Sequence, residues 1–367
     1  MRILVVNNNV IYENDAGLFV FKETGKFLVQ ILEEGHEVLV FQFRMRFENT
    51  DFLVDYNINN RGFKIITVKR EKSELSAYLK AFILAIQTIR RSDFIYLFYP
   101  GNICIILAVI CIILNKPYGF YVRGQKGIIS IISKLLYKRA KVIFTISPSF
   151  TMSIRKILNN VETIRPMMEA SENDILYNRA YNKKLNYELL YVGRIEKEKG
   201  IYELLQAIRE LIEQGMKNFR VNIVGDGIDA VTVREMVKKY KLNQFFLFHG
   251  TITDFKELSL YYKKADLFIL PTYHEGFPRV LYEAMIFGVP IITTFVGGIA
   301  YLMKDEFNCY RIEPKDAQSI KVKIYEAIIN YENTAELARN ATKTIIDYLA
   351  DKKDSHAARL VKAIGNK

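Results

Sequence analysis

Cysteine is scarce in this chain: Cys104, Cys111 and Cys309 are the only three in 367 residues, an odd number with no CxxC pair. That excludes a disulfide framework and a zinc knuckle, and it points to a reducing compartment. Cys104 and Cys111 fall on one helical face within an apolar run, where core packing is expected. Histidine is nearly as sparse, with four scattered residues, and no Asp-x-Asp occurs. No metal site is therefore expected. No apolar run approaches the roughly 20 residues that cross a bilayer; the longest, 103–114, reads as a buried helix. The opening MRILVVNNN has no signal-peptide h-region and reads as a first strand. Repeats, low-complexity tracts and dense basic blocks are missing, as are RRM and KH signatures, so a nucleic-acid module has little support.

Half of the residues are hydrophobic and 13% are aromatic, the composition of a folded protein with large cores. A chain of 367 residues exceeds the roughly 250 at which single cores split, so two domains are expected. The net charge of +12 favours a polyanionic partner: nucleic acid, an anionic membrane or a phosphate-bearing substrate. Charge alone does not choose among them.

Short apolar runs alternate with segments of helical period almost from end to end, the pattern of parallel sheets covered by helices on both faces. The fold class is α/β. Strands are expected at 3–6, 38–43, 64–68, 94–98, 118–122 and 142–146, and again at 188–192, 221–224, 245–248, 267–270 and 290–293. Between them the rhythm lapses around Pro166, where an inter-domain connection is placed at 166–187. The expected organisation is one doubly wound domain over 1–165, a second over 188–340, and a helical segment over 341–367 that returns to the first.

Chemistry concentrates in the second domain. After its first strand comes Gly193-Arg194-Ile195-Glu196-Lys197-Glu198-Lys199-Gly200, leading into an amphipathic helix near Ile201. A bendable backbone, cations and a helix N-terminus suit a diphosphate, with Arg194 and Lys199 as candidates. Taken alone, such a loop is more often a solvated turn. Gly225-Asp226-Gly227 ends the next strand and permits either close ligand approach or a tight turn. The strongest constellation is HEGFPRVLYEAM. In it Glu275 lies in a loop after a strand, and Glu283 lies about one turn inside the following helix. Gly276, Phe277 and Pro278 form the helix entry, with Pro278 in the first turn and Arg279 next. Ionised carboxylates accept paired hydrogen bonds from diols, so Glu283 suits a ribose and Glu275 sugar hydroxyls.

Glu275-x7-Glu283, preceded by GRIEKEKG and GDG, resembles the nucleotide-sugar half of the GT4 family of retaining glycosyltransferases, over roughly 191–298. The resemblance implies a GT-B fold, two Rossmann-like domains facing a central cleft, with acceptor groups on the first and donor groups on the second. It implies that Arg194 and Lys199 neutralise the donor diphosphate, that Glu283 binds ribose, and that Glu275 orients the donor sugar. It also implies that Gly297 and Gly298 form a loop near the donor, although Ala300-Tyr301 replace the acid that often follows. Retention of anomeric configuration follows, with front-side attack by the acceptor hydroxyl and the departing phosphate taking its proton. In the first domain the family's Gly-Gly loop survives only as Ala16-Gly17, and its mid-domain histidine is absent. The comparable segment holds Arg123 and Gly124, which are expected to face the cleft.

The resulting expectation is a metal-independent hexosyltransferase with no cofactor, a UDP- or GDP-type nucleotide sugar as donor, and a saccharide or lipid-linked saccharide as acceptor. It would serve bacterial surface polysaccharide or lipopolysaccharide assembly in the cytoplasm, at the inner face of the cytoplasmic membrane. The segment 127–139, GIISIISKLLYKR, has the pattern of an amphipathic helix with a basic end, fitting either packing on its own sheet or contact with an anionic leaflet. Two other readings are a nucleotide-sugar epimerase or hydrolase of the same fold and a non-enzymatic basic binding module.

Overall fold

A parallel strand that runs in a sheet's interior is covered on both faces, so every residue along it has to be apolar. The runs ILVV, FIYLFY and LLYV meet that condition, and the computed structural model places each in a sheet centre. It describes residues 1–46, 54, 56–69, 75–124, 129–276, 278–351 and 354–365. The chain divides into two units, Met1–Met167 with Lys352–Lys367, and Met168–Asp351.

The first unit contains β1 (Arg2–Val6), β2 (Ile11–Asn14), β3 (Gly17–Val20), α1 (Lys22–Glu33), β4 (Glu37–Arg46), β5 (Tyr56–Asn57), β6 (Lys64–Lys69) and α2 (Leu75–Arg91). It continues with β7 (Phe94–Tyr99), α3 (Asn102–Ile113), β8 (Tyr118–Val122), α4 (Ile131–Arg139), β9 (Val142–Thr145), α5 (Pro148–Arg155) and β10 (Val161–Thr163). The sheet runs β10-β9-β8-β7-β1-β4-β2-β3-β5, with β6 also on β4. Its pairs are parallel except β2–β3 and β3–β5. Alternate residues of each central strand split between two cores. Leu4, Leu97 and Phe120 pack under α2, α3, α4 and α5, while Ile3, Tyr96 and Tyr121 pack under α1. The β2–β3 hairpin corrects one expectation. Gly17 does not lie in a loop following the first strand; it opens β3 opposite Asn14. Strands of two to four residues with mixed burial give too little alternation to be read from sequence.

The second unit contains β11 (Tyr187–Val192), α6 (Ile201–Glu213), β12 (Phe219–Val224), α7 (Ala230–Lys239), β13 (Phe246–Gly250), α8 (Phe255–Lys264) and β14 (Leu267–Leu270). Then follow α9 (Arg279–Ile286), β15 (Ile291–Thr294), α10 (Ile299–Leu302), β16 (Tyr310–Ile312), α11 (Ala317–Ile329) and α12 (Tyr331–Asp351). Its six strands are all parallel, in the order β13-β12-β11-β14-β15-β16.

Both expected boundaries shift. Most of the stretch placed as a connection, from 168 to 187, is built into the second unit, with Ala170 and Ile175 buried in its core. The Arg179 guanidinium donates to the carbonyls of Tyr262 (3.0 Å), Phe287 (2.8 Å) and Ala265, at the C-terminal ends of α8 and α9. A cation there satisfies carbonyls that have no helical partner. The expected division at 340 falls inside α12, whose buried stripe Ala335, Ala338, Ala341, Ile345 and Leu349 crosses it unbroken. The tail that joins the first unit is thus shorter: α13 (His356–Gly365) packs on α1 and buries Ala357, Leu360 and Ile364. Burying the last two contributes about 1.5–3 kcal/mol each.

The helix expected to be buried at 103–114 is α3, and only one side of it is. Cys104, Leu107, Ala108 and Cys111 face the core, while Ile106, Val109 and Ile113 are exposed. Burial pushes the Cys104 and Cys111 thiols up to about 12, leaving them inert. Among the described residues no helix is long and apolar enough to cross a membrane.

Two predictions follow from these contacts. Arg179→Ala should lower unfolding free energy by about 2–3 kcal/mol in urea denaturation, with Arg179→Lys recovering little because a point charge cannot span three carbonyls. His356 is fully enclosed, its Nε2 2.6 Å from the Tyr96 hydroxyl and its Nδ1 without a partner. Burial, and then the Arg123 charge, hold its pKa well below the usual histidine value. The unfolded chain then binds a proton that the fold refuses, so stability is lost as pH falls below about 6.5, by up to about 1.4 kcal/mol per unit. Thermal melts from pH 7 to 5 should show a shallower decline for His356→Gln than for the wild type.

Candidate active site

Loops that follow parallel strands all emerge at one edge of the sheet, and where the strand order reverses two of them diverge and leave a crevice. In the second unit that place lies between β11 and β14. The loops after β11, β12, β14 and β15 carry the residues singled out from the sequence, and backbone hydrogen bonds tie them together. Gly193 N donates to Val224 O (3.0 Å) and Ile195 N to Asp226 O (2.9 Å). Asp229 returns the contact by accepting from Lys197 N at 2.7 Å. Across the crevice Tyr273 N donates to Glu198 O (2.8 Å), and beside it Gly298 N donates to Gly276 O (2.8 Å), joining the loops after β15 and β14.

Two of these approaches require glycine. Gly225 sits at φ +134°, and a Cβ there would lie 2.0 Å from Gly193 O. Gly297 sits at φ +60°, and a Cβ would lie 1.7 Å from Glu275 O. Any side chain at either position would separate loops that now touch, besides straining the backbone. Gly227 leads into α7, its carbonyl accepting from Ala230 N.

The charged side chains divide into three groups. Lys199 Nζ donates to Glu275 Oε1, joining the loops after β11 and β14, and both groups are largely buried at 15% and 21% exposure. Arg194 instead pairs with Glu196 of its own loop at 2.8 Å and stays 60% exposed. Glu283 is buried in α9 and accepts from the Tyr262 hydroxyl at 2.8 Å. Burial raises its pKa, opposed by the Tyr262 hydrogen bond and the Arg279 charge. Pro278 stands one place earlier than expected, as the extended N-cap residue, and Arg279 opens α9. Phe277 lies outside the described residues.

In the first unit Arg123 and Gly124 follow β8. The Arg123 guanidinium stacks 4.8 Å over Phe98 and donates to Asn7 Oδ1 at 2.7 Å, beyond the end of β1. Gly17 is packed against Asn59 and Asn57, whose side chains would clash with a Cβ.

Sequence pattern does not point to several residues that hold this geometry. Tyr262, Asp229 and the Tyr273–Glu203 hydrogen bond (2.5 Å) belong to ordinary-looking helical and turn segments. Only Asp229, three residues after Asp226 in a Gly-rich turn, carries a local signal for amide capture.

Part of the chain is similar to known proteins. Residues 177–344 match the model of glycosyl transferases group 1. The chain is 26% identical to protein CapJ of Staphylococcus aureus over 319 residues, 82% of this chain and 80% of that one. It is 31% identical over 172 residues to the capsular polysaccharide biosynthesis glycosyltransferase CapM of the same species, 45% of this chain and 43% of CapM. The crystal structure of Anabaena HepE in complex with UDP superposes with a TM-score of 0.72 at 17% identity, over 100% of both chains. The fold is therefore GT-B, built from two doubly wound α/β units, and the second unit is similar to the domain of group 1 glycosyl transferases.

Proposed function

We propose that the protein is a retaining, metal-independent glycosyltransferase of the GT4 type. It moves a sugar from a nucleotide diphosphate to a saccharide or lipid-linked saccharide, in assembly of a bacterial surface polysaccharide at the inner face of the cytoplasmic membrane. The observation that carries this reading is the Lys199–Glu275 pair bridging the two loops that flank the reversal of strand order. Capsule synthesis in the name of CapM and the UDP bound to HepE support the process and the donor class.

On this reading the donor diphosphate lies against the loop after β11 and the N-terminus of α9. Lys199 and Arg194 supply the positive charge, and the first amides of α9 add their dipoles. The ribose diol replaces part of the hydration that Glu283 lost on burial, donating to its carboxylate. Glu275 accepts from hydroxyls of the transferred sugar. When the acceptor hydroxyl attacks C1, the bond from C1 to the phosphate oxygen breaks on the same face. The acceptor's proton passes to the departing phosphate, whose growing negative charge Lys199 and Arg194 stabilise. Gly297 and Gly298 bring the loop after β15 against the glutamate loop and fix its position. Arg123 and Gly124 serve the acceptor side.

Thermal unfolding with UDP, GDP, ADP and their sugars, in the presence of EDTA, tests the donor site. One nucleotide is expected to raise the melting temperature, and Glu283→Ala and Arg194→Ala to abolish the rise; no shift with any of them overturns the reading. Glu275→Gln should retain the nucleotide shift yet lose transfer by about 100-fold or more, since its role is exercised on the sugar. Consumption of the sugar nucleotide by wild type with no glycosylated product would instead assign hydrolysis or epimerisation.

A further inference from the structure

We infer that the outward face of the α3–α4 layer of the first unit is a docking surface for an anionic lipid bilayer. A surface helix ordinarily turns a polar face to solvent, and these two turn large aliphatic side chains outward as well. On α3 the exposed stripe begins with Asn102 and continues with Ile106, Val109 and Ile113. On α4, Ser133, Leu136 and Tyr137 face inward, and Ile131, Ile132 and Leu135 stand exposed at 78%, 53% and 60%. The helices pack against each other, and α3 also packs on α2, on which Phe82 and Ile83 are exposed as well. The sheet side of this layer is already filled by the core, so none of these side chains is needed for it. A contiguous exposed apolar face of this kind marks an interaction site.

Charge identifies the occupant. Between residues 75 and 160 the sequence has twelve Lys and Arg and a single acid, Asp93. That difference, +11, accounts for nearly all of the chain's +12. Asp93 is itself bonded to Arg2. Lys134, Lys138 and Arg139 stand exposed on α4 beside its isoleucines, and Arg90 and Arg91 close α2. Aliphatic side chains bordered by cations match a leaflet whose acyl chains lie beneath phosphates. A second copy of the chain fits poorly, because face-to-face contact would bring like charges together with no acid to offset them. With 12 residues, α3 is too short to span a bilayer and would lie in its plane.

This deepens the reading of transfer at a membrane face and rests on that reading only for its purpose, since binding is measured without donor or acceptor. The full chain is sedimented with vesicles of phosphatidylglycerol and phosphatidylcholine, and with phosphatidylcholine alone, at low and high salt. Binding is expected to the anionic vesicles and to weaken with salt. The pairs Ile131→Ser with Leu135→Ser, and Lys134→Glu with Lys138→Glu, should each lower the bound fraction about tenfold. Ile113→Ser, on the other helix, should weaken it as well. All three should keep the wild-type melting temperature and nucleotide shift. Equal binding to both vesicle types, or variants that bind like the wild type, would overturn the proposal. So would a dimer in light scattering that Ile131→Ser with Leu135→Ser dissociates, which would assign the face to a second copy. Vesicle binding without any nucleotide shift would leave this inference standing and remove the transferase reading instead.

Discussion

The second unit depends on one geometric constraint: six parallel strands place all of their outgoing loops at a single edge. Nothing in the chemistry of a lysine or a glutamate makes residues 199 and 275 meet. They meet because β11 and β14 are neighbours whose following loops must share the same crevice. The glycines are consequences of that crowding. Gly225 approaches Gly193 O because the loops after β12 and β11 cross there, and Gly297 approaches Glu275 O for the same reason between the loops after β15 and β14. The backbone contacts hold the loops before any side chain contributes, so the charged groups rest on a framework whose position they do not determine.

That framework also decides how each charge is compensated. Lys199 and Glu275 neutralise each other across the crevice in a setting largely closed to water, where one partner without the other would be costly. On the proposed reading, a diphosphate entering beside them would supply Lys199 with a new anion and free Glu275 for hydroxyl donors. Arg194, exposed and, among the described residues, paired with its neighbour Glu196, gives up little to turn toward a ligand. Glu283 is different: enclosed in α9, it relies on the Tyr262 hydroxyl to offset the loss of water. Tyr262 in turn lies in α8, whose C-terminal carbonyls are bonded to Arg179. The position of the Glu283 carboxylate is thus traced back to an arginine from a stretch that sequence reads as a linker.

Legibility followed length and periodicity. Central strands such as β7, six residues and apolar throughout, and β11, whose run Leu189–Val192 is apolar, are plain in the sequence because burial on both faces leaves little room for polar residues. The loops with Arg194, Glu275 and Glu283 are legible because unusual residue combinations interrupt those runs. The hairpin around Gly17 is not, since its short strands alternate too briefly. Arg179 and Tyr262 were illegible for another reason: their partners are backbone carbonyls and a side chain far along the chain, and no local pattern encodes such a contact. The reading of α3 as wholly buried failed because apolar composition shows which surfaces water leaves unsatisfied without showing what covers them.

The two faces of the first sheet make that last distinction concrete. On one, α1 and α13 close the core, and α13 does so with alternating burial and a buried His356 that gives up charge to fit. The opposite face is covered equally well by α2, α3, α4 and α5. There the outer surfaces of α3 and α4 remain aliphatic although the core beneath is complete. Exposed isoleucines add nothing to such a layer, and they favour collapse onto any apolar surface, which is a liability in free solution. Positive charge without compensating acid is a second liability on the same helices, through self-repulsion. The two tendencies oppose each other in water and act together only against a surface both hydrophobic and anionic, so a single interface accounts for both.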